Sequence, residues 1–169
     1  MLYKIYTDGS CSKNPGPGGY AFILLSARDN ALLEVSGCET KTTNNRMELK
    51  AILSALKHIQ SDPRYNSKDN FILIYSDSAY CLNALSQNWL ENWKKNDWVN
   101  KKGEEIKNAD IWKEISFFLK KVRAKIQYVK VQGHTGNYYN EKVDKLAKAA
   151  TKRALERVKR QESEASQCT

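Results

Sequence analysis

Apolar and polar positions divide the chain into segments of two periods. Three short apolar runs, residues 2–7, 20–25 and 31–37, are separated by a Pro/Gly-rich stretch and by a Ser/Arg/Asp/Asn stretch. Runs of this length between turn formers predict three strands joined by two hairpins. From Asn45 the period lengthens: Leu49, Ile52, Leu53, Leu56 and Ile59 fall on one helical stripe, which Asp62 and Pro63 stop. FILIYSD, residues 71–77, is apolar almost throughout, as in a strand covered on both faces, and predicts the centre of a sheet. Residues 78–85 read as helix, and a polar, Trp-rich segment follows. Residues 110–122 form an amphipathic helix with Ile111, Ile115, Phe118, Leu119 and Val122 inward, and residues 125–131 alternate like a half-buried strand. Tyr139, Val143, Leu146, Ala147, Ala150 and Ala154 mark a long last helix, and the polar residues 161–169 predict a disordered tail. Three antiparallel strands followed by strands alternating with helices predict an α/β fold. It is a mixed five-stranded sheet flanked by helices, one domain spanning residues 1–160.

Four acidic residues occupy comparable places in this layout. Asp8 ends the first strand, Glu48 sits in the first turn of the first helix, Asp77 ends the FILIYSD strand, and Asp144 lies in an early turn of the last helix. Strand ends and helix starts at one sheet edge are where open α/β folds build their sites. Each residue also has an ordinary structural role open to it. Asp8-Gly9 can open a turn, Glu48 can close a capping box begun at Asn45, Asp77 or Ser78 can cap a helix, and Asp144 can pair with nearby lysines. Four carboxylates near one edge repel one another and require neutralisation. Carboxylate oxygens without thiolates or paired imidazoles suit hard Mg²⁺ or Mn²⁺ rather than zinc.

Composition narrows the partner. The 169 residues, 41% hydrophobic, suffice for one core and are few for two. With 28 Lys+Arg against 19 Asp+Glu, the formal charge is +9, which favours a polyanion, nucleic acid ahead of an acidic membrane surface. The opening MLYKIYTDGS has no signal-peptide pattern, and no uncharged apolar run reaches membrane length, so a cytoplasmic protein without membrane association is expected. Cys11, Cys38, Cys81 and Cys168 lack C-x-x-C or Cys/His spacing, which predicts reduced thiols and no zinc site.

Four blocks carry a family resemblance: TDGSCSKNPGPGGYAF (residues 7–22), TTNNRMEL (42–49), SDSAYC (76–81) and VQGHTGNYYNEKVDKLA (131–147). In this order they resemble the signature blocks of type I ribonuclease H, across about residues 3–155. The resemblance implies an endonuclease that cuts the RNA strand of an RNA–DNA hybrid with two Mg²⁺ ions, Mn²⁺ being a possible substitute, and leaves 5′-phosphate and 3′-hydroxyl ends. It implies Asp8, Glu48, Asp77 and Asp144 as metal-binding catalytic carboxylates, and His134 as an aid to proton transfer or product departure. The first block could be read as a phosphate cradle, but such a loop precedes a helix, and here YAFILL is a strand. The Pro/Gly run is therefore a hairpin turn. By resemblance its backbone from Cys11 to Asn14 lies along the hybrid's minor groove, with Asn44 and Asn45 contacting the duplex beside it.

Lys41, Thr43 and Asn108 match a pocket for a DNA-strand phosphate. Trp89 to Trp112 interleaves tryptophans with Lys94, Lys95, Lys101, Lys102 and Lys107. This segment resembles the basic protrusion of bacterial members, in which Trp93, Lys94 and Lys95 would grip the duplex, while Trp112 and part of Trp89 belong to the core. Two positions depart from the family pattern. Lys41 stands where an Arg is familiar and loses the bidentate fork, and Ala79 stands where an amide side chain often touches the hybrid. The expectation is a free-standing monomeric enzyme with no separate hybrid-binding domain. The alternatives are a catalytically silent hybrid-binding module and a transposase or integrase core of the same fold.

Overall fold

The computed structural model describes residues 1–132 and 137–168. β1 (Leu2–Cys11), β2 (Gly16–Ser26) and β3 (Ala31–Thr42) form the antiparallel meander that the three apolar runs predict. The strands outlast those runs. Pairing continues to Cys11↔Gly18 and Gly16↔Thr42, because ladder hydrogen bonds belong to the backbone and do not need apolar side chains. β4 (Phe71–Ser76) and β5 (Lys125–Lys130) add parallel to β1, giving the order β3-β2-β1-β4-β5. The centre of the sheet is thus β1, and β4 is interior but off-centre. Apolarity reports that a strand is covered, not which interior place it takes.

Alternation along β1 and β2 sorts their side chains onto two faces. Tyr3, Ile5, Phe22 and Leu24 point to one core, shared with Ile72 and Ile74 of β4 and with α1 (Asn44–Ser61), α2 (Ala79–Ser86) and α4 (Ala109–Lys121). Tyr6, Ala21, Ile23 and Leu25 point to the other, against Val143 and Ala147 of α5 (Tyr138–Gln167). Helix α5 seats closely on β2 because a β-carbon on Gly19 would lie 2.5 Å from that of Ala150. The short α3 (Trp89–Lys95) carries the Trp/Lys segment, and Trp112 is fully buried beneath it.

The helix caps are made by residues other than the predicted carboxylates. Thr43, not Asn45, caps α1, its hydroxyl accepting from Arg46 N at 3.3 Å. The first turn of α1 holds no acidic residue, so Glu48 lies deeper in the helix than predicted and serves no capping box. Ser78, not Asp77, caps α2 by accepting from Cys81 N at 3.2 Å. α5 continues to Gln167, through the polar residues read as a disordered tail. Glu, Gln, Ala, Lys and Arg are good helix formers, and a long helix already nucleated by packing extends at little cost. Among the described residues no helix is long and apolar enough to cross a membrane.

Candidate active site

β1 and β4 pair in parallel from Leu2↔Phe71 to Tyr6↔Tyr75. Past that pair β4 ends at Ser76, while β1 continues beside β2. Asp8 stands just beyond the parting on β1, and Asp77 just beyond the end of β4. The sequence predicted Asp8 at the end of its strand. It sits instead where the parallel pairing ends, since β2 carries β1 onward.

Glu48 reaches this opening from α1, across Gly9. Carboxylate oxygens of Asp8, Glu48 and Asp77 all lie within 4.8 Å of one another, with Asp8 and Glu48 buried. Asp144 arrives from α5 on the other side of the sheet, within hydrogen-bonding reach of Asp8, and pairs with Lys148 Nζ at 2.9 Å one turn later. Three of the four predicted carboxylates therefore converge, from the ends of the β1–β4 pairing and from α1, and Asp144 approaches Asp8 from α5 outside that group.

Crowding governs their protonation. Burial first, then the charge of Asp77, pushes Asp8 up to about 7. Burial and the charges of Asp8 and Asp77 push Glu48 well above the carboxylate range. Asp8 Oδ1 accepts the Gly9 N–H at 2.9 Å, whereas Glu48 Oε2 is buried with no hydrogen-bond partner. Such an orphan acceptor is costly unless something positive completes it. An all-oxygen donor set with a partnerless oxygen fits a hard divalent cation.

The residues predicted to touch a duplex line the same edge. Asn14 Oδ1 accepts from Asn44 N at 2.7 Å, tying the β1–β2 hairpin to the start of α1. Cys11 is partly exposed at the end of β1 and donates from Sγ to Lys13 O at 2.6 Å, and Asn45 is partly exposed beside Asn44. Lys41 is exposed at the end of β3. Arg46 links the three residues of the phosphate pocket. It shares a cleft with Lys41, its backbone N–H donates to Thr43, and its Nη1 donates to Asn108 Oδ1 at 3.3 Å. Asn108 caps α4 in the left-handed region, φ 63°, which asparagine tolerates.

Trp93 is half-buried, ringed by Trp89, Trp98 and Trp112 at 5.4–6.3 Å. Its main contacts are with this cluster, while Lys94 and Lys95 are exposed at the end of α3. His134 lies outside the described residues.

Three contributors are absent from the sequence-based list: Arg46, Lys148 and Tyr80. Tyr80 OH accepts from Asn108 Nδ2 at 3.1 Å and from Trp112 Nε1 at 3.0 Å. The i,i+4 spacing could have singled out Lys148. Nothing local marks Tyr80, whose partners are 28 and 32 residues away.

Residues 2–152 match the family model described as RNase H. The chain is 45% identical over 148 residues to a ribonuclease H from Syntrophomonas wolfei, covering 88% of this chain and 94% of that one. Among solved structures, LC9-RNase H1, described as a type 1 RNase H with the type 2 active-site motif, superposes with a TM-score of 0.75 at 28% identity. The match covers 89% of this chain and 72% of that one. LC11-RNase H1, solved in complex with an RNA/DNA hybrid, shares the fold with a TM-score of 0.70 at 24% identity, covering 90% and 99% of the two chains.

Proposed function

The chain belongs to the type 1 ribonuclease H family and hydrolyses the RNA strand of RNA–DNA hybrids, and we propose that Asp8, Glu48, Asp77 and Asp144 serve this reaction by holding two Mg²⁺ ions, with Mn²⁺ as a substitute. The observation that carries the assignment is the buried, partnerless Glu48 Oε2 inside a cluster whose charged state is otherwise disfavoured. Bound divalent ions supply an activated water and neutralise charge on the phosphodiester and the leaving oxygen. The protein's part is to fix four carboxylates on rigid elements, so that no side chain need act as nucleophile. By family resemblance His134 aids proton transfer or product departure, and the products carry 5′-phosphate and 3′-hydroxyl ends.

The duplex lies along the edge formed by the hairpin, the start of α1 and α3. Cys11, Asn14, Asn44 and Asn45 face the wide minor groove, where amides can both donate to and accept from 2′-hydroxyls. Lys41, Thr43 and Asn108 hold a phosphate of the DNA strand. Lys94 and Lys95, on a base that Trp93 stiffens, grip further phosphates. The related LC11-RNase H1 was solved with such a hybrid, and the same partner is assigned here to a monomer acting in the cytoplasm as one domain.

The test is cleavage of labelled RNA–DNA, RNA–RNA and DNA–DNA duplexes with and without Mg²⁺. Only the hybrid should be cut, only with the ion, and Asp77→Asn should bind hybrid without cutting it. Retained turnover in Asp8→Asn, Glu48→Gln and Asp77→Asn would sink the site assignment. A DNA duplex carrying one ribonucleotide should be a poor substrate beside one carrying several in a row, because one hydroxyl cannot occupy all the proposed contacts.

A further inference from the structure

Helix α5 extends beyond the part of the chain that the family model matches, which ends at residue 152. Its last buried residue is Ala154, so the following turns are not held there by the core. Up to that point the helix runs alongside β3, stapled by polar contacts: Lys142 Nζ pairs with Glu34 at 2.6 Å, and Arg153 Nη2 donates to Ser36 Oγ at 3.0 Å. One turn later Arg157 closes a cleft of about 470 Å³ with Cys38, Glu39, Thr40, Lys41 and Arg46.

The charges in this cleft are unequally committed. Glu39 pairs with Lys50 at 2.9 Å, and Arg46 is held by both oxygens of Asp110 at 2.9 and 2.7 Å. Arg157 and Lys41 are exposed and form no ion pair among the described residues. Two cations that form no ion pair among the described residues thus line one cleft from different elements. They stand beside Arg46, whose guanidinium also contacts Asn108, at the edge where Asn14 and Asn44 meet.

We propose that Arg157, opposite Lys41 across the β3–α5 cleft, forms a further phosphate subsite that extends the duplex grip onto the end of α5. This rests on the ribonuclease H reading. A phosphate oxygen is the fitting occupant, because the cleft offers a guanidinium fork and an ammonium whose charges the protein leaves unanswered.

The test uses the full chain and a hybrid duplex of about 20 base pairs, with steady-state cleavage and hybrid binding each measured across a salt series. Replacing Arg157 with Ala should raise KM and the hybrid Kd several-fold and lower the log–log salt slope by about 0.9, the value of one lost phosphate contact. Arg157→Lys should restore the slope, since the charge returns. Lys68→Ala removes the same charge before the start of β4, away from the carboxylates, and should leave KM and the slope as in the wild type. The inference is overturned if Arg157→Ala keeps the wild-type KM and slope, or if Lys68→Ala changes both equally, as a net-charge effect would. Failure of the ribonuclease H reading appears in the wild type as absence of hybrid cleavage. Failure of this inference appears only in the comparison of the Arg157 and Lys68 variants, with wild-type cleavage intact.

Discussion

A β-carbon on Gly9 would lie 2.3 Å from the backbone nitrogen of Glu48. The first strand and the first helix touch backbone to backbone at the point where each delivers a carboxylate, so the approach that brings Asp8 and Glu48 together depends on a missing side chain. Because the clash is with backbone, Gly9→Ala cannot be absorbed by a rotamer change. It should cost about 3 kcal/mol, the upper range for overpacking, and lower Tm by roughly 6–12 °C for a protein of this size. Thermal unfolding monitored by circular dichroism measures the first effect, and metal-dependent hybrid cleavage should fall with it. A wild-type Tm would show that α1 can stand off from β1 without loss.

Asp8 makes the metal-free protein sensitive to pH. Its folded-state pKa of about 7 stands above the ordinary value of 3.8. Between those values the folded state holds a proton that the unfolded state has released. Its contribution to stability is therefore full below about pH 4 and lost as pH rises through 7. In chelator, Asp8→Asn should melt several degrees above wild type at pH 8, and the difference should vanish as pH approaches 4. Mg²⁺ should narrow the gap at pH 8, since it binds the charged wild-type site. A variant less stable than wild type at pH 8 in chelator would contradict the assigned burial cost.

Lys148 holds the fourth carboxylate at 2.9 Å while remaining 62% exposed on its side chain. An exposed pair of this kind is worth about 0.2–1 kcal/mol. Lys148→Ala should therefore leave Tm nearly unchanged. Removing its positive charge beside Asp144 should lower the half-saturating Mg²⁺ concentration about two- to five-fold. Calorimetric titration of Mg²⁺, with cleavage rates followed over the same range, measures it. Weaker metal binding would mean that Lys148 is needed to orient Asp144 rather than to moderate its charge.

Tyr80 OH is the shared acceptor for Asn108 and for the fully buried Trp112. Tyr80→Phe leaves the indole N–H without that partner, at about 1–3 kcal/mol, and releases one side of the Asn108 amide. KM for hybrid should rise several-fold with kcat nearly constant, and tryptophan fluorescence should shift as the indole loses its bond. An unchanged KM would remove Asn108 from the proposed phosphate pocket.

The sequence by itself determined the five strands, four of the helices and their order, and it marked the four carboxylates as candidates; the short α3 it left as a polar, Trp-rich segment. Periodicity, turn residues and short blocks are local properties, and Asp8, Glu48, Asp77 and Asp144 each sit inside such a block. It could not show that β1 is the central strand, since covered strands look alike whatever their place. Nor could it show that Thr43 and Ser78 do the capping that was equally open to Glu48 and Asp77. The polar residues after Arg160 read as a tail because composition has no record of a helix already nucleated upstream. Only the tertiary structure decided which side chains answer one another. The orphaned Glu48 oxygen, the hold of Lys148 on Asp144, Tyr80 beneath Asn108, and Arg157 across from Lys41 depend on where separate elements are brought by burying their apolar faces. That packing sums weak contacts across the whole chain, and no single segment carries its outcome.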